Sequence, residues 1–408
     1  MRLLSILLLL ATAAPAAEPT AEDYRADARS IAPLIQETYA YLDRFPGGVA
    51  PSSPKLKAEA EQVRDRRSLL LYAERALLAL ADHHAITGAS TAHDWAIVPT
   101  YADLWIERRG GDFVIEAVRD GSPAAAAGIA RGGRLIAVDG VPTAAAVQAF
   151  WDDLGLPVTE ERAGFAARIL AAGRRDAPRR LEVARGRAAP RTVELPNLYQ
   201  IPHPPRPPVT TRREGAALVV RFNDSLGDDA AIAAFDAAMA DAPPRRPLVV
   251  DLTDTPSGGN TIVARAVLGW FVTRAAGYQV HNLPAEERRT GIPRQWIEQV
   301  LPRAGKHRAA PATVRVGRWT GSMGEGLAIG FSAFGVPVVG DPMAGLRGAV
   351  YDERLEHSGL VLKLPAERLY TLSGVPRERF VPRPDQRRRR ALIPAPSRPS
   401  RRSPPANP

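Results

Sequence analysis

Residues 318–326, R-W-T-G-S-M-G-E-G, set a single serine, Ser322, among small residues and directly before an apolar run, Leu-Ala-Ile-Gly-Phe, that suits a buried helix. A serine hydroxyl attacks a carbonyl only when a base takes its proton and donors receive the charge that develops on oxygen. The chain holds candidates for each part. A hydroxyl at a helix start lies among free N–H groups, which makes the Met323 N–H a natural oxyanion donor. Asp251-Leu-Thr-Asp-Thr-Pro-Ser-Gly-Gly259 is a strand pattern running into paired glycines, Gly258 and Gly259, where backbone can approach a ligand and offer a second N–H. Asp82-His83-His84 supplies imidazoles, which titrate near 6.5 and accept a proton at neutral pH. Each feature also has a plain structural reading. A glycine-flanked serine suits a turn or cap, paired glycines suit a turn, and histidines suit a helix C-terminus.

Other chemistries are excluded more readily. There is no cysteine, so thiolate nucleophiles, disulfides and Cys metal sites are impossible. No H-E-x-x-H or similar spacing occurs, and no metal is expected. Four other histidines are weak candidates: His203 falls in a Pro-rich stretch, His281 and His307 in a polar connecting region, and His357 after a charged run. The 251–260 loop lacks both the Lys-Ser/Thr of a phosphate loop and G-x-G-x-x-G spacing, so nucleotide binding is disfavoured; no cofactor is expected. The net charge of +10 is concentrated in the tail: seven arginines and no acid follow Gln386, leaving +3 for everything before it. A nucleic-acid partner is therefore not expected. The Pro/Arg/Ser tail reads as a disordered, solvated end, with contact to anionic envelope surfaces as the sharper alternative.

The elements that must hold these groups follow from pattern. Residues 1–17 carry Arg2, an apolar run and Ala14-Pro-Ala16, a secretory leader too short to span a bilayer, which predicts a secreted, periplasmic or extracellular chain. Residues 18–95 have helical spacing and end in the histidine motif; residues 96–200 change to short strands and turns. Residues 201–214 hold Pro-His-Pro-Pro-Arg-Pro-Pro, a stiff linker. In 215–385 strands (217–222, 248–252, 313–316, 336–340) alternate with helices (228–240, 261–271, 324–334), which predicts an α/β layer. The tail, 386–408, completes the chain.

Two stretches carry a resemblance. D-F-V-I-E-A-V-R-D-G-S-P-A-A-A-A-G-I-A-R-G-G-R-L-I-A-V-D-G, residues 112–140, resembles a PDZ domain of the bacterial protease type, with Gly133 where Asp is usual. Such domains add an extended peptide to an exposed sheet edge beside a helix, implying that this unit presents or gates a substrate peptide. The region 215–385 resembles the C-terminal processing (tail-specific) serine peptidases. Asp251–Gly259 matches D-L-R-x-N-x-G-G with Thr253 for the Arg and one extra residue, Thr320–Glu325 matches S-A-S-A-x-E, and Val338-Val-Gly-Asp-Pro342 matches V-V-G-E-x. The resemblance implies a crotonase-like (ClpP/crotonase) α/β core with an inserted PDZ and an N-terminal helical unit. It also implies a nucleophile at Ser322 and an oxyanion site from Gly258 or Gly259 with Met323.

The family's lysine base is missing, because Leu346-Arg347-Gly348 stands where G-K-G is expected. A guanidinium does not deprotonate in proteins and cannot take the serine proton. The branch typified by the tricorn protease core uses histidine instead, and Asp82-His83-His84 together with Glu378-Arg-Phe-Val-Pro-Arg-Pro-Asp385 resembles its D-x-H-x and E-x-x-G-V-x-P-D motifs. That resemblance makes His84 the base and Glu378 the acid that fixes its tautomer, and it puts His83 at the place of the branch's relay residue, where it either relays to Glu378 or simply faces solvent. The implied protein is a serine endopeptidase acting on peptides or unfolded protein, with a reaction that rises through pH 6–7 if His84 has an ordinary pKa. The rivals are a catalytically inactive peptidase fold that binds peptides or apolar ligands, and an esterase-type hydrolase.

Overall fold

The computed structural model describes residues 18–385 apart from 203, 244 and 310; the expected leader, the basic tail and His203 lie outside the described residues. The chain begins with three helices, α1 (Ala21–Thr38), α2 (Pro54–Gln62) and α3 (Arg66–Leu78). Thr20, Ser53 and Asp65 each cap the helix that follows, their side chains accepting N–H groups that the helix leaves free. The apolar faces, with Ile31, Ile35, Leu69 and Leu77, bury against Leu362 and Leu364 from the far end of the chain. Just past His84, the short strand β1 (Ile86–Thr87) pairs antiparallel with Leu362 and Lys363. This pairing ties the histidine segment to the C-terminal third of the chain.

The region expected to be a PDZ domain contains β2 (Leu104–Arg109), β3 (Asp112–Val118), α4 (Pro123–Ala126), β4 (Arg134–Val138), β5 (Val141–Pro142), α5 (Thr143–Leu154), α6 (Glu160–Ala172), β6 (Arg179–Ala184) and β7 (Arg191–Leu195). The strands form an antiparallel sheet in the order β2-β3-β4-β6-β7, with β5 beside β4. Beside the helices, its edge strand is β2, and that edge is not open. Helix α6 lies on it: Arg168 donates to the Ile106 carbonyl at 2.9 Å, and Phe165 is buried in one core with Trp105 and Trp151. Helix α6 therefore lies along the β2 edge, beside which peptide addition was expected.

The remaining elements are β8 (Val209–Glu214), β9 (Ala217–Phe222), α7 (Ala230–Ala240), β10 (Leu248–Asp251), α8 (Thr261–Leu268), β11 (Ala276–Asn282), α9 (Pro284–Thr290), β12 (Gln295–Val300), β13 (Ala312–Val316), α10 (Met323–Ala333), β14 (Val338–Gly340), β15 (Ala349–Arg354) and β16 (Val361–Tyr370). The expected α/β layer is a sheet in the order β14-β13-β10-β9-β8, parallel except for the edge strand β8. Its central strand, β10, is buried at every residue, as a strand covered on both faces must be. Val250, Phe235, Val267 and Leu327 pack the core between this sheet and helices α7, α8 and α10. A second sheet, β1-β16-β11-β12 with β15 on β16, is antiparallel. It takes in His281, which lies buried in β11 and not in a connecting region.

Candidate active site

Strand β13 ends at Val316, and the turn after it is stitched to the loop following β10. Thr320 Oγ donates to the Leu252 carbonyl at 2.7 Å, Thr255 N–H to the Trp319 carbonyl at 2.8 Å, and Gly321 N–H to the Thr255 carbonyl at 3.0 Å. Gly321 has to be glycine here, since a Cβ would stand 2.5 Å from the Pro256 carbonyl oxygen. The turn delivers Ser322 at φ 51°, ψ −115°, a left-handed conformation that L residues rarely adopt, immediately before α10. Such strain persists only where the surroundings fix it, and it is concentrated at functional sites.

His84 meets this serine across 238 residues of sequence: its Nε2 is 3.0 Å from Ser322 Oγ. On the other side of the ring Nδ1 is 2.6 Å from the backbone carbonyl of Arg347. A carbonyl only accepts, so Nδ1 carries the proton and Nε2 presents its lone pair to the serine hydroxyl. Asp82 accepts the His84 backbone N–H at 3.0 Å and the Tyr39 hydroxyl at 2.6 Å, fixing the turn that carries the ring. Burial, followed by the nearby positive charge of Arg377, pushes the His84 pKa down to about 4. The ring is therefore neutral through the physiological range.

The other expected members stand elsewhere. Glu378 does not reach His84; its Oε2 is buried without a hydrogen-bond partner, and its charge acts on Tyr41, whose hydroxyl is also buried and unpartnered. The acceptor on Nδ1 is thus a backbone carbonyl and not the expected carboxylate. His83 is not a relay either. It stacks on Phe165 at 4.4 Å and accepts a hydrogen bond from Arg168 at 2.9 Å, facing α6. Burial first, then Arg168 and Arg347, hold it well below the usual imidazole range. The Arg347 guanidinium pairs with Glu161 of α6 at 2.6 Å and stands 4.0 Å from Asp82 Oδ1, while the carbonyl of the same residue faces the His84 ring.

Gly258 borders the serine directly: a Cβ there would stand 2.7 Å from Ser322 Oγ and 4.0 Å from Met323 N. Neither the Gly258 nor the Met323 N–H has an acceptor among the described residues, which leaves two donors beside the hydroxyl. Gly259 has a different job. A Cβ on it would overlap the Leu226 carbonyl group, so it lets the chain pass the loop before α7.

Sequence reasoning matched Glu325 to the family pattern without giving it a role. It is fully buried, and its carboxylate accepts three backbone N–H groups, from Ser322 (3.0 Å), Gly345 (2.8 Å) and Leu346 (3.1 Å). It thereby joins the serine turn to the loop whose carbonyl orients His84. Burial raises its pKa to about 7 against the opposing pull of Arg377 and the three N–H groups. A cleft of about 590 Å³ lies between the β2–β7 sheet and the core, lined by Tyr101, Ser122, Arg206, Asp224 and Ser257 among others. Through Ser257 it adjoins Gly258. No group of side chains that could hold a metal ion occurs among the described residues.

No family model matches the chain, and no curated protein matches it. Solved structures do. The chain is similar to the photosystem II D1 C-terminal processing protease, with 17% identity over 88% of this chain and 92% of that one and a TM-score of 0.54. It is equally similar to mature CPAF, with 14% identity over 90% of this chain and 92% of that one, also at 0.54. Mature CPAF complexed with lactacystin gives 14% identity, 90% and 94% coverage and 0.54. At such identities the likeness is one of fold, and it extends over almost the whole described chain.

Proposed function

We propose that this chain is a serine peptidase whose nucleophile is Ser322 and whose general base is His84. The observation that carries the proposal is the 3.0 Å approach of a bare His84 Nε2 to the hydroxyl of a left-handed serine at a helix start. In the first step Ser322 Oγ bonds to the carbonyl carbon of the scissile peptide while its proton passes to Nε2. The N–H groups of Gly258 and Met323 take the negative charge on the former carbonyl oxygen. The C–N bond then breaks, the leaving amine takes the proton from Nε2, and water repeats the sequence to release the acid and restore the hydroxyl.

The cleft that reaches Ser257 is the place for an extended substrate segment, and the PDZ-like unit walls it rather than offering β2 as a docking edge. The leader-like residues 1–17 make secretion part of the proposal. Fold likeness to a protein named as a C-terminal processing protease supports a peptide or protein substrate.

A fluorophosphonate probe tests the reading on the full chain. Covalent labelling of Ser322 is expected, lost in Ser322→Ala and His84→Ala, with cleavage of an unfolded protein by the unmodified chain. An intact fold without labelling would favour the second reading, an inactive peptidase fold that binds peptide. That reading draws on the low basicity of His84 and on Glu378 standing apart from it. Ester turnover without any protein cleavage would indicate an esterase.

A further inference from the structure

The carbonyl that orients His84 belongs to a short loop, Gly345-Leu-Arg-Gly348, with left-handed glycines at both ends (φ 70° and 55°). A loop so rich in unusual backbone holds one peptide orientation only if its polar groups are tied down. On one side Glu325 takes the N–H groups of Gly345 and Leu346. On the other a single nitrogen of Arg377, Nη2, donates to the carbonyls of Leu346 at 3.0 Å and Gly348 at 2.7 Å. The carbonyl between these two, that of Arg347, is left to face His84 Nδ1. Arg377 is only 2% exposed and reaches this position from the short turn at 377–379.

We infer that Arg377 is a positioning residue: by holding the carbonyls on either side of it, Arg377 aims the Arg347 carbonyl at His84 and so fixes the imidazole tautomer that Ser322 requires. The inference rests on the proposed roles of His84 and Ser322. The position carries work that the expected carboxylate of its neighbour, Glu378, does not do. Because one nitrogen makes both bonds, a lysine ammonium can take over part of the task, whereas a glutamine amide, though it too has two N–H groups on one nitrogen, is uncharged and ends two bonds short of the Nη2 position.

The test is nitrogen-edited NMR of the full chain labelled at histidine, with the His84 signal assigned by its loss in His84→Gln. A protected Nδ1–H resonance is expected for His84 in the unmodified chain. Arg377→Gln should abolish or displace it and slow fluorophosphonate labelling of Ser322 about 10²-fold, the order expected of a small misplacement of a reacting group. Arg377→Lys should recover part of both. The Nδ1 signal of His281, 2.6 Å from Glu367 Oε2, reports whether the fold is kept. An unchanged His84 signal in folded Arg377→Gln overturns the inference, and so does an Nε2–H tautomer in the unmodified chain, a result that needs no variant. If Ser322 is never labelled but the His84 signal depends on Arg377, the positioning role stands and the peptidase reading falls.

Discussion

The pH dependence of Ser322 acylation separates a buried, backbone-oriented histidine from an ordinary one. His84 is 9% exposed and its pKa is pushed down to about 4, first by burial and then by Arg377. Against a reference near 6.5, this corresponds to about 3 kcal/mol working against the imidazolium. Only the neutral ring can take the serine proton. At pH 5 a histidine of pKa about 4 is roughly nine-tenths neutral, whereas one of pKa 6.5 is about 3% neutral. The ratio of labelling rates at pH 5 and pH 8 should thus be about 0.9, compared with about 0.03 for an unperturbed base. The assay is the time course of fluorophosphonate labelling from pH 4.5 to 8, with circular dichroism at each pH to show that the protein stays folded. A rise centred near pH 6.5 would refute the assigned environment of His84, and full labelling in His84→Gln would remove it as the base. The expectation of a rise through pH 6–7, drawn from the sequence, is accordingly moved about two units lower.

Gly258→Ala should keep the fold and cut labelling at least 10²-fold, because the new methyl would stand 2.7 Å from Ser322 Oγ, while Gly259→Ala should lower stability by about 1–3 kcal/mol through its overlap with Leu226. Paired urea unfolding and labelling curves check both. Ser322→Gly should be more stable than Ser322→Ala by about 1 kcal/mol, since glycine relieves the left-handed strain at φ 51°; equal urea midpoints would refute the strain. The pKa of Glu325, raised from 4.5 to about 7, gives a contribution to stability that is present in full below 4.5 and lost as pH rises to about 7. Glu325→Gln should remove this decline, of the order of 3 kcal/mol, from the pH dependence of the urea midpoint, and a slope unaltered by the substitution would count against it.

Ser322, His84 and Gly258, which the structure brings together, were legible as candidates because their chemistry lies in residue type and local pattern. The approach of His84 to Ser322 depends on β1 pairing with β16, a contact that joins residues 86–87 to 362–363. The group orienting the imidazole was not legible at all: it is a backbone carbonyl, which every residue has, selected by Glu325 and Arg377. Reading Glu378 as the orienting acid placed the right segment near the site with the wrong neighbour doing the work. Strands β11 and β12 escaped notice because their partly exposed, polar sequences lack a buried run, and His281 because its carboxylate partners, Glu298 and Glu367, come from other strands. Helix α6 has an apolar face, but its place on the β2 edge depends on long-range contacts such as Arg168 to the Ile106 carbonyl, which no local pattern shows.

In the proposed peptidase reaction, a carbonyl on Nδ1 in place of the expected carboxylate bears on how the base is charged. An acid on Nδ1 would offset the charge that the ring acquires when it takes the serine proton. Here the Arg347 carbonyl and the more distant Asp82 favour the imidazolium, whereas burial and Arg377 oppose it. A base of pKa about 4 lies well below the optimum for general catalysis at neutral pH. The remaining compensation must come from the negative charge formed beside the ring as the carbonyl oxygen settles toward the Gly258 and Met323 N–H groups. Acylation should then depend steeply on how readily the substrate carbonyl accepts that charge. Activated esters and phosphonates should react much faster than unstrained peptides, and good peptide substrates should be those whose contacts along the cleft hold the scissile carbonyl against the two donors.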